Sequence, residues 1–330
     1  MVQRKNIDYS MSPSGQKFKI PQQKEYISEF KKLEKYVKKA RSEGKEIVVV
    51  MGVGFVGAVM AAIVADAMDK KGNPSKFVIG CQRPSTRSYW KIPMLNRGIS
   101  PVKAEDPEVD KMIERCVLKK KTLIATFNSD CLKLADCVVV DVQCDYSKQD
   151  LGNMKTGETD MAALEATMRT IGEKIPSECL VLIETTVAPG TTEFVAMPIL
   201  EKAFAKRGIK SKPLLSHSFE RVMPGKEYVA SIRDFWRVCA GCTKKARKRV
   251  EKFLREVLNT KDYPLTVMDR PIESETTKIV ENSYRATILA FLNEWSLFAE
   301  RNGVDLIKVI EAIKMRPTHS NIIFPGPGIG

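Results

Sequence analysis

The chain has 330 residues, enough for two domains that each bury a core, and its 43% hydrophobic and 28% charged residues are ordinary for a globular protein. These values exclude global disorder, a collagen-like repeat and a small module held together by disulfides. Fifty-four Lys and Arg against 40 Asp and Glu give a net charge of +14, which suits nucleic acid, a membrane surface or an anionic small substrate.

The sequence shows no segment for membrane insertion or export. No run approaches 18 uncharged apolar residues, and the first 24 residues lack the apolar stretch of a secretory signal. We therefore expect a cytoplasmic protein. The basic excess is concentrated in residues 1–46 and 244–255, which have the pattern of amphipathic helices with a solvated face. Because neither stretch carries the sequence signature of a known nucleic-acid-binding fold, nucleic-acid binding is not expected.

The predicted elements begin with a polar arm and one helix. Residues 1–23 are rich in polar residues, Gly and Pro, and a loose arm is predicted there. Residues 24–43 place apolar side chains at helical spacing, and Gly44 ends this helix.

Seven short strands are predicted in the next part of the chain. They are Ile47–Met51, Phe77–Gly80, Thr122–Ala125, Cys137–Val142, Leu180–Glu184, Lys212–Ser216 and Arg237–Ala240. Helical patterns separate most of them, for example Ala58–Met68, Asp160–Lys174 and Glu193–Lys206. Buried strands that alternate with helices indicate a parallel, doubly wound sheet.

After Asp269 the strand patterns stop. Residues Ser274–Asn302 have the pattern of one long helix, whose apolar stripe is too broad for a surface helix, and Asp305–Met315 forms a second. The predicted fold is therefore α/β: a Rossmann-like doubly wound parallel sheet, followed by an all-helical central domain with a long helix. The expected domains are a basic extension over 1–44, a sheet domain over 45–268 and a helical domain over 269–330.

The cysteines and histidines do not form a metal-binding pattern. Most of the eight cysteines lie in apolar runs and are best read as reduced core residues. Cys239 and Cys242 form the one C-x-x-C pair, without a second pair or a nearby His, since His217 and His319 are the two histidines of the chain. No metal site is predicted.

A glycine-rich turn follows the first strand of the predicted sheet. It reads Gly52-Val53-Gly54-Phe55-Val56-Gly57 and leads into an apolar helix. In a strand–turn–helix context, such glycines allow the tight turn, the approach of a pyrophosphate and the close packing of helix on strand. The free N–H groups and positive dipole end of the helix favour the phosphates. The turn predicts a dinucleotide cofactor, bound by all six residues except Val53.

The end of the second strand leaves the choice of cofactor open. An acidic residue that would bind the adenosine ribose is missing, and Gln82 takes its place with Arg83 beside it. Gln82 can accept a ribose hydroxyl, which favours NAD, whereas Arg83 can meet the 2′-phosphate of NADP. Both cofactors are compatible with the sequence.

Four later segments carry further motifs. They are Glu184–Glu193 (ETTVAPGTTE), Ser218–Gly225 (SFERVMPG), Glu275–Asn282 (ETTKIVEN) and the terminal Phe324–Gly330 (FPGPGIG). Together with the glycine turn, and in this order, they resemble the UDP-glucose/GDP-mannose dehydrogenase family of nucleotide-sugar 6-dehydrogenases. The resemblance runs from about Lys45 to Gly330. The ending from Arg316 onwards most resembles the UDP-N-acetylmannosamine dehydrogenase branch.

The resemblance implies a four-electron oxidation of a sugar C6 alcohol to a uronic acid, with NAD or NADP reduced twice. Lys278 and Asn282 match the family's catalytic Lys and Asn. Their spacing of four places them on one helix face, where a cation and an amide would stabilise oxyanion character. Both residues are also expected to bind substrate.

Other positions receive roles from the same resemblance. Glu220 matches a glutamate suited to acid–base work on water, and Thr186 matches a threonine that orients this water and the cofactor. Arg221 is expected to contact the substrate, and Glu184 the cofactor. Taken alone, Lys278 also has an ordinary explanation as a helix-surface charge, and Asn282 as a solvated amide.

The sequence also departs from the family pattern. The family nucleophile is a Cys just beyond the turn that Phe324–Gly330 begins, and none of the eight cysteines has the matching place. The family's third domain is absent too, so the chain is expected to bind cofactor without completing acid formation. Phe219 stands where the family usually has Pro, and Gln143-Cys144 where it often has Thr-Pro.

Two other functions remain compatible with the residues. A β-hydroxyacid dehydrogenase also has a Rossmann domain, a helical domain and a Lys and Asn four residues apart, but needs no cysteine. A non-catalytic dinucleotide-binding protein is the other alternative. The resemblance implies a homodimer through the helix over 274–302, because a similar helix forms the dimer core in the family, and we expect this dimer whether or not the chain is catalytic. A nucleotide sugar is the expected small-molecule partner under the first reading.

Overall fold

A computed structural model describes residues 8–142, 144–148, 157–222 and 225–326. Four parts of the motifs above, Gln143, Met223, Pro224 and residues 327–330, lie outside these described ranges. The chain forms two compact units, Met1–Glu275 and Thr276–Gly330.

The described residues form the following strands and helices. The strands are β1 Tyr9–Met11, β2 Lys17–Lys19, β3 Glu46–Met51, β4 Lys76–Cys81, β5 Leu123–Thr126, β6 Cys137–Val140, β7 Asp145–Lys148, β8 Gly157–Asp160, β9 Leu180–Ile183, β10 Leu214–His217, β11 Val238–Gly241 and β12 Thr266–Val267. The α-helices are α1 Gln23–Ser42, α2 Phe55–Asp66, α3 Lys91–Leu95, α4 Pro107–Glu114, α5 Ala162–Lys174, α6 Met197–Lys206, α7 Tyr228–Arg233, α8 Lys244–Val257, α9 Pro271–Asn302 and α10 Leu306–Lys314. Short π or 3-10 turns cover Arg115–Lys119, Ser129–Leu134, Thr191–Ala196 and Pro317–His319.

Eight strands of the first unit form one sheet, in the order β12-β11-β10-β9-β6-β3-β4-β5. The order reverses between β3 and β6, which pair in parallel from Val48–Cys137 to Met51–Val140. At such a switch point the connections of the two neighbouring strands diverge and leave a crevice outside their carboxyl ends. The predicted doubly wound sheet is confirmed, and its switch point defines where a ligand is expected.

Two apolar cores cover the two faces of this sheet. One contains α2, α4, α7 and α8, and the other contains α1, α5 and α6. Helix α2 is buried from Gly57 to Ala65, which explains why its sequence is apolar all round. The N-terminal helix α1 belongs to the core of the second face, where Leu33, Val37 and Ala40 are buried.

The structure corrects two predictions. Strand β11 runs antiparallel to β10, so the sheet is not parallel throughout. Within the segment predicted as a loose arm, β1 and β2 pair as an antiparallel hairpin from Tyr9–Lys19 to Met11–Lys17. Three-residue strands are too short to produce a recognisable alternation of apolar and polar residues.

The second unit contains most of α9, together with α10. The predicted long helix is confirmed and begins three residues earlier than expected, at Pro271. Large apolar side chains are exposed along it, including Val280, Tyr284, Phe291 and Trp295. No helix in the described part of the chain has the length and apolar character that spanning a membrane requires.

Candidate functional site

The turn between β3 and α2 is built on glycines that cannot be replaced without moving backbone. Gly52 has a φ of +99°, and a Cβ atom there would lie 2.6 Å from the backbone oxygen of Asp141. A Cβ atom on Gly57 would lie 1.9 Å from the backbone oxygen of Gly52. Both glycines therefore let strand, turn and helix approach one another closely.

Gly54 differs from its neighbours because the space beside it is open. An ideal Cβ atom at this position meets no atom within 4 Å, and its φ of −83° suits any residue. Gly54 is the N-cap of α2, provides no side-chain cap, and is followed by a first turn without acidic residues. The free N–H groups at this helix end are therefore available to an anion.

A cleft of about 480 Å³ opens in front of this turn. It is lined by Gly52, Gly54, Phe55, Val56, Gly57, Gln82, Lys91, Asp141, Val142, Cys144, Thr185, Thr186 and Glu220. The cleft thus brings together five predicted turn residues with Gln82, Thr186 and Glu220. The described arrangement fits a dinucleotide, since it offers open space at Gly54 and a helix N-terminus for its phosphates.

Gln82 supports the glycine turn directly. Its side-chain oxygen Oε1 accepts a hydrogen bond from the backbone N–H of Val53, at 3.1 Å. The next residue, Arg83, is exposed and is not among the residues that line the cleft. Contact of either side chain with the cofactor's ribose stays a prediction.

Tyr228 holds the start of α2 in place through two contacts with Phe55. Its hydroxyl donates to the backbone oxygen of Phe55 at 2.6 Å, and the two rings stack with centroids 4.9 Å apart. Burial raises the pKa of Tyr228 above its usual value, so this hydroxyl stays protonated and remains a donor.

Asp141 is a site residue that the sequence analysis missed. It directly follows β6 at the switch point and lines the cleft, yet its Oδ2 atom is buried without a hydrogen-bond partner among the described residues. Burial raises the pKa of Asp141 to about 7; Arg237 opposes the rise and Glu220 adds to it. At a pH near 7 this carboxyl group is partly protonated, so it repels an anionic ligand less than a carboxylate does and can donate a hydrogen bond. An acid immediately after an apolar strand was the available signal.

A buried ion pair lies at the end of β9. Glu184, predicted to bind cofactor, is fully buried and pairs with Arg237, whose side chain is only 2% exposed. Arg237 also donates to the backbone oxygen of Phe219 at 2.9 Å. Burial lowers the pKa of Arg237 to about 10, while Asp141 counteracts this effect. Glu184 is not among the residues lining the cleft, so its cofactor contact stays a prediction.

The segment after β10 carries Glu220 and Arg221. Glu220 lines the cleft and accepts a hydrogen bond from the backbone N–H of Val222. The guanidinium of Arg221 lies 5.3 Å from the centroid of the Phe219 ring and donates to the backbone oxygen of Trp236. The structure therefore places Glu220 at the cleft and holds Arg221 against aromatic side chains.

The buried carboxylate of Glu275, near the start of α9, orders the segment that follows Thr186. Glu275 accepts hydrogen bonds from Thr192, through its backbone N–H at 2.8 Å and its hydroxyl at 2.6 Å, and from the backbone N–H of Gly190 at 2.5 Å. Beside it, Ser274 is hydrogen-bonded to Nδ1 of His217 at 2.9 Å. Burial lowers the pKa of His217 to about 3, so this histidine is neutral at physiological pH. His217 is therefore a neutral, buried residue of the core.

The remaining predicted site residues lie in the second unit. Lys278 and Asn282 both belong to α9 and are separated by four residues, which places them on the same side of this helix. In the C-x-x-C pair, burial raises the pKa of Cys239 and Cys242 to about 12, so both are thiols at neutral pH. Among the described residues, no group of three or more His, Cys, Asp or Glu is arranged to hold a metal ion.

Two family domains match the chain. The NAD binding domain of the UDP-glucose/GDP-mannose dehydrogenase family matches residues 46–259, and its central domain matches residues 272–330. The cofactor that this domain binds is NAD. The extension before residue 46, including α1, lies outside both matches.

Proteins that are similar to this chain in sequence and structure are named as sugar dehydrogenases. The UDP-N-acetyl-D-mannosamine dehydrogenase of Pyrococcus horikoshii is 28% identical over 283 residues, which are 86% of this chain and 60% of that protein. Its reported structure superposes with a TM-score of 0.70 at 27% identity, covering 86% of this chain and 61% of that one. A crystal structure of an NDP-N-acetyl-D-galactosaminuronic acid dehydrogenase from Methanosarcina mazei superposes with a TM-score of 0.68 at 30% identity, covering 90% and 60%.

The matched regions follow the order of the motifs found in the sequence. The chain spans about 60% of the length of the relatives it matches. The glycine turn, seven of the eight strands of the sheet and all but the first residue of the long helix fall within the matched residues. The chain belongs to the UDP-glucose/GDP-mannose dehydrogenase family.

Proposed function

We propose that this chain carries the NAD site and the hydride-transfer residues of an enzyme that oxidises the C6 alcohol of a UDP-N-acetylhexosamine to a uronic acid. The observation that carries the proposal is the cleft at the switch point. There, the open space at Gly54 and the side chains of Thr186 and Glu220 share one cavity. When bound, NAD accepts a hydride from the sugar carbon.

The chain's own residues have distinct parts in this proposal. The Lys278 ammonium and the Asn282 amide stabilise negative charge on the C6 oxygen, since a cation and an N–H donor favour an oxyanion. Glu220 holds or moves a proton of water, and Thr186 orients that water beside the cofactor. Arg221 binds the substrate, and Glu184 and Arg83 contribute to the cofactor's surroundings.

The proposed substrate class is supported by the names of similar proteins. Two of the relatives described above are named for N-acetylated hexosamine or hexosaminuronic acid chemistry.

Assays of NAD reduction with UDP-N-acetylmannosamine, UDP-N-acetylglucosamine and UDP-glucose test this proposal. We expect reduced nicotinamide but no uronic acid to form with an N-acetylated donor, since the family's nucleophilic Cys has no match among these residues. Lys278→Ala is expected to lower the rate of NAD reduction by about 10²–10³-fold because oxyanion stabilisation is lost. Lys252→Ala is the matched control, since Lys252 is another lysine on a helix, is 71% exposed and does not line the cleft.

Two results would contradict the proposal. Turnover of a small hydroxyacid, abolished by Lys278→Ala, would indicate a β-hydroxyacid dehydrogenase instead. NADH binding without reduction of NAD by any of the three nucleotide sugars would indicate a non-catalytic binding protein.

We also propose that the chain forms a homodimer through α9. The apolar side chains exposed on this helix include Phe291 and Trp295, which are 53% and 47% exposed, and Phe298 at 52%. Burying such a stripe against a second copy removes it from water and stabilises the pair. Light scattering at micromolar concentration is expected to give the mass of a dimer, and the mass of a monomer would refute this arrangement.

A further inference from the structure

A second concave site lies in the first unit, away from the cofactor cleft. It is a groove of about 560 Å³, and none of its lining residues lines the cleft. One side is formed by α1, the helix that precedes the family match, and the other by the segment from Val117 to Lys121. We call it the lysine groove. Helix α1 of the basic N-terminal extension thus lines a groove that has no part in the proposed function.

The lining of the lysine groove is strongly basic. It contains five lysines and one glutamate: Lys32, Lys39, Lys45, Lys120, Lys121 and Glu43. Two of the lysines have close partners, because Lys45 pairs with Glu43 and Lys120 lies 2.6 Å from Asp66. Lys32 and Lys39 have carboxylates only at 3.8 and 3.9 Å, which are weak surface pairs. Like charges in a concave site raise the local concentration of an anion.

The backbone at Lys121 is also unusual. With a φ of 54°, Lys121 is the one non-glycine residue with a positive φ in the described part of the chain. This conformation is unfavourable for a residue with a long side chain. It follows the π-helical turn Arg115–Lys119, a geometry that is often found at functional sites. The Thr122 N–H donates to the Cys116 oxygen at 2.9 Å, so Lys121 is the left-handed residue that ends this turn, and this conformation fixes where its side chain leaves the backbone beside the groove.

The groove also offers an aromatic surface. Tyr36 stacks on the buried Phe77 at 6.4 Å with an interplanar angle of 24°, yet it remains 42% exposed. Lys32 and Lys39 lie four residues before and three residues after Tyr36, so all three side chains share one face of α1. An aromatic ring is thus flanked by an ammonium group one helical turn away on either side.

The groove suits a small molecule better than an added peptide strand. β5 is the edge strand of the sheet, but the side chain of Asn96 occupies the edge at Ala125. Its Oδ1 accepts from the Ala125 N–H at 2.7 Å and its Nδ2 donates to the Ala125 oxygen at 2.9 Å. These two bonds block strand addition at this residue. The volume of the groove lies in the range of small-ligand sites.

We propose that the lysine groove binds a nucleoside diphosphate, with the base stacked on Tyr36 and the phosphates between Lys39 and Lys121. Base stacking on an exposed aromatic ring and ammonium–phosphate contacts are the interactions that recognise this class of ligand. The site is separate from the cofactor cleft and does not depend on the proposed function.

Hydrogen–deuterium exchange with UDP as the probe tests the proposal, because it reports where binding occurs. We expect UDP to protect residues 32–45 and 115–124 in the wild-type chain. In Lys39→Gln/Lys121→Gln, the UDP concentration that gives half of the maximal protection is expected to be at least tenfold higher. Lys35→Gln/Lys38→Gln is the matched control, because it removes the same total charge at exposed positions of α1 outside the groove. Lys39→Gln alone replaces the double variant if the change at Lys121 unfolds the chain.

A second arm separates the base from the phosphates. Inorganic pyrophosphate is expected to bind less tightly than UDP, and Tyr36→Leu to remove this difference. The proposal is overturned if UDP protects neither segment, or if the groove variants and the control respond alike. It is also overturned if pyrophosphate binds as tightly as UDP in the wild-type chain.

Discussion

Replacing Arg237 by Met is expected to lower the free energy of unfolding by about 3–5 kcal/mol, one of the two largest effects anticipated for this chain. The reason is that Glu184, fully buried, would keep a carboxylate without its cationic partner. The hydrogen bond from Arg237 to the Phe219 oxygen would be lost as well. Urea unfolding followed by circular dichroism measures the effect.

Two further variants make the Arg237 experiment specific. Arg233→Met removes a guanidinium that is 43% exposed and pairs with the adjacent Asp234, so it is expected to cost about 1 kcal/mol or less. Glu184→Gln/Arg237→Met removes both charges and is expected to be more stable than Arg237→Met alone. A midpoint for Arg237→Met equal to that of Arg233→Met would show that the ion pair contributes little.

The second large effect concerns the glycine turn. Gly57→Ala is expected to destabilise the chain by about 3 kcal/mol or more, because its Cβ atom would lie 1.9 Å from the Gly52 oxygen and backbone would have to move. Gly54→Asp, in contrast, is not expected to destabilise the fold. Its side chain enters open space, and Asp is a favourable N-cap residue, so the fold is retained.

The consequence of Gly54→Asp for NAD is expected to be severe. A carboxylate would stand where the pyrophosphate approaches the start of α2, and NADH affinity is expected to fall at least about a hundredfold, or about 2.8 kcal/mol. Gly54→Asn is the control of equal shape without charge, and its loss should be smaller. NADH fluorescence titrations together with melting curves distinguish the variants. Wild-type affinity in Gly54→Asp would contradict the placement of the phosphates.

Local patterns were sufficient to predict most of the fold. The apolar strands, the turn Gly52–Gly57 and the long helix each depend on residues close together in sequence, and their ends differ from the structure by only a few residues. The direction of β11 was not predictable in this way, because it depends on how the chain returns after His217. The hairpin of β1 and β2 was also missed, since strands of three residues leave almost no period.

The candidate site was predictable where one segment forms it and not where distant segments meet. The glycine turn is a local motif, and the structure places its open glycine at the cleft. Asp141 and Arg237 have no motif of their own. Their importance arises because β6, β9 and the segment before β11 bring Asp141, Glu184 and Arg237 together, and the pair Glu184–Arg237 joins residues 53 positions apart.

We expect the first unit to bind NAD at the turn between β3 and α2. Titration of the purified wild-type chain with NADH, followed by nicotinamide fluorescence, tests it most directly. We expect saturable binding that added NAD⁺ reverses. An absence of binding by a chain that still unfolds cooperatively would contradict it.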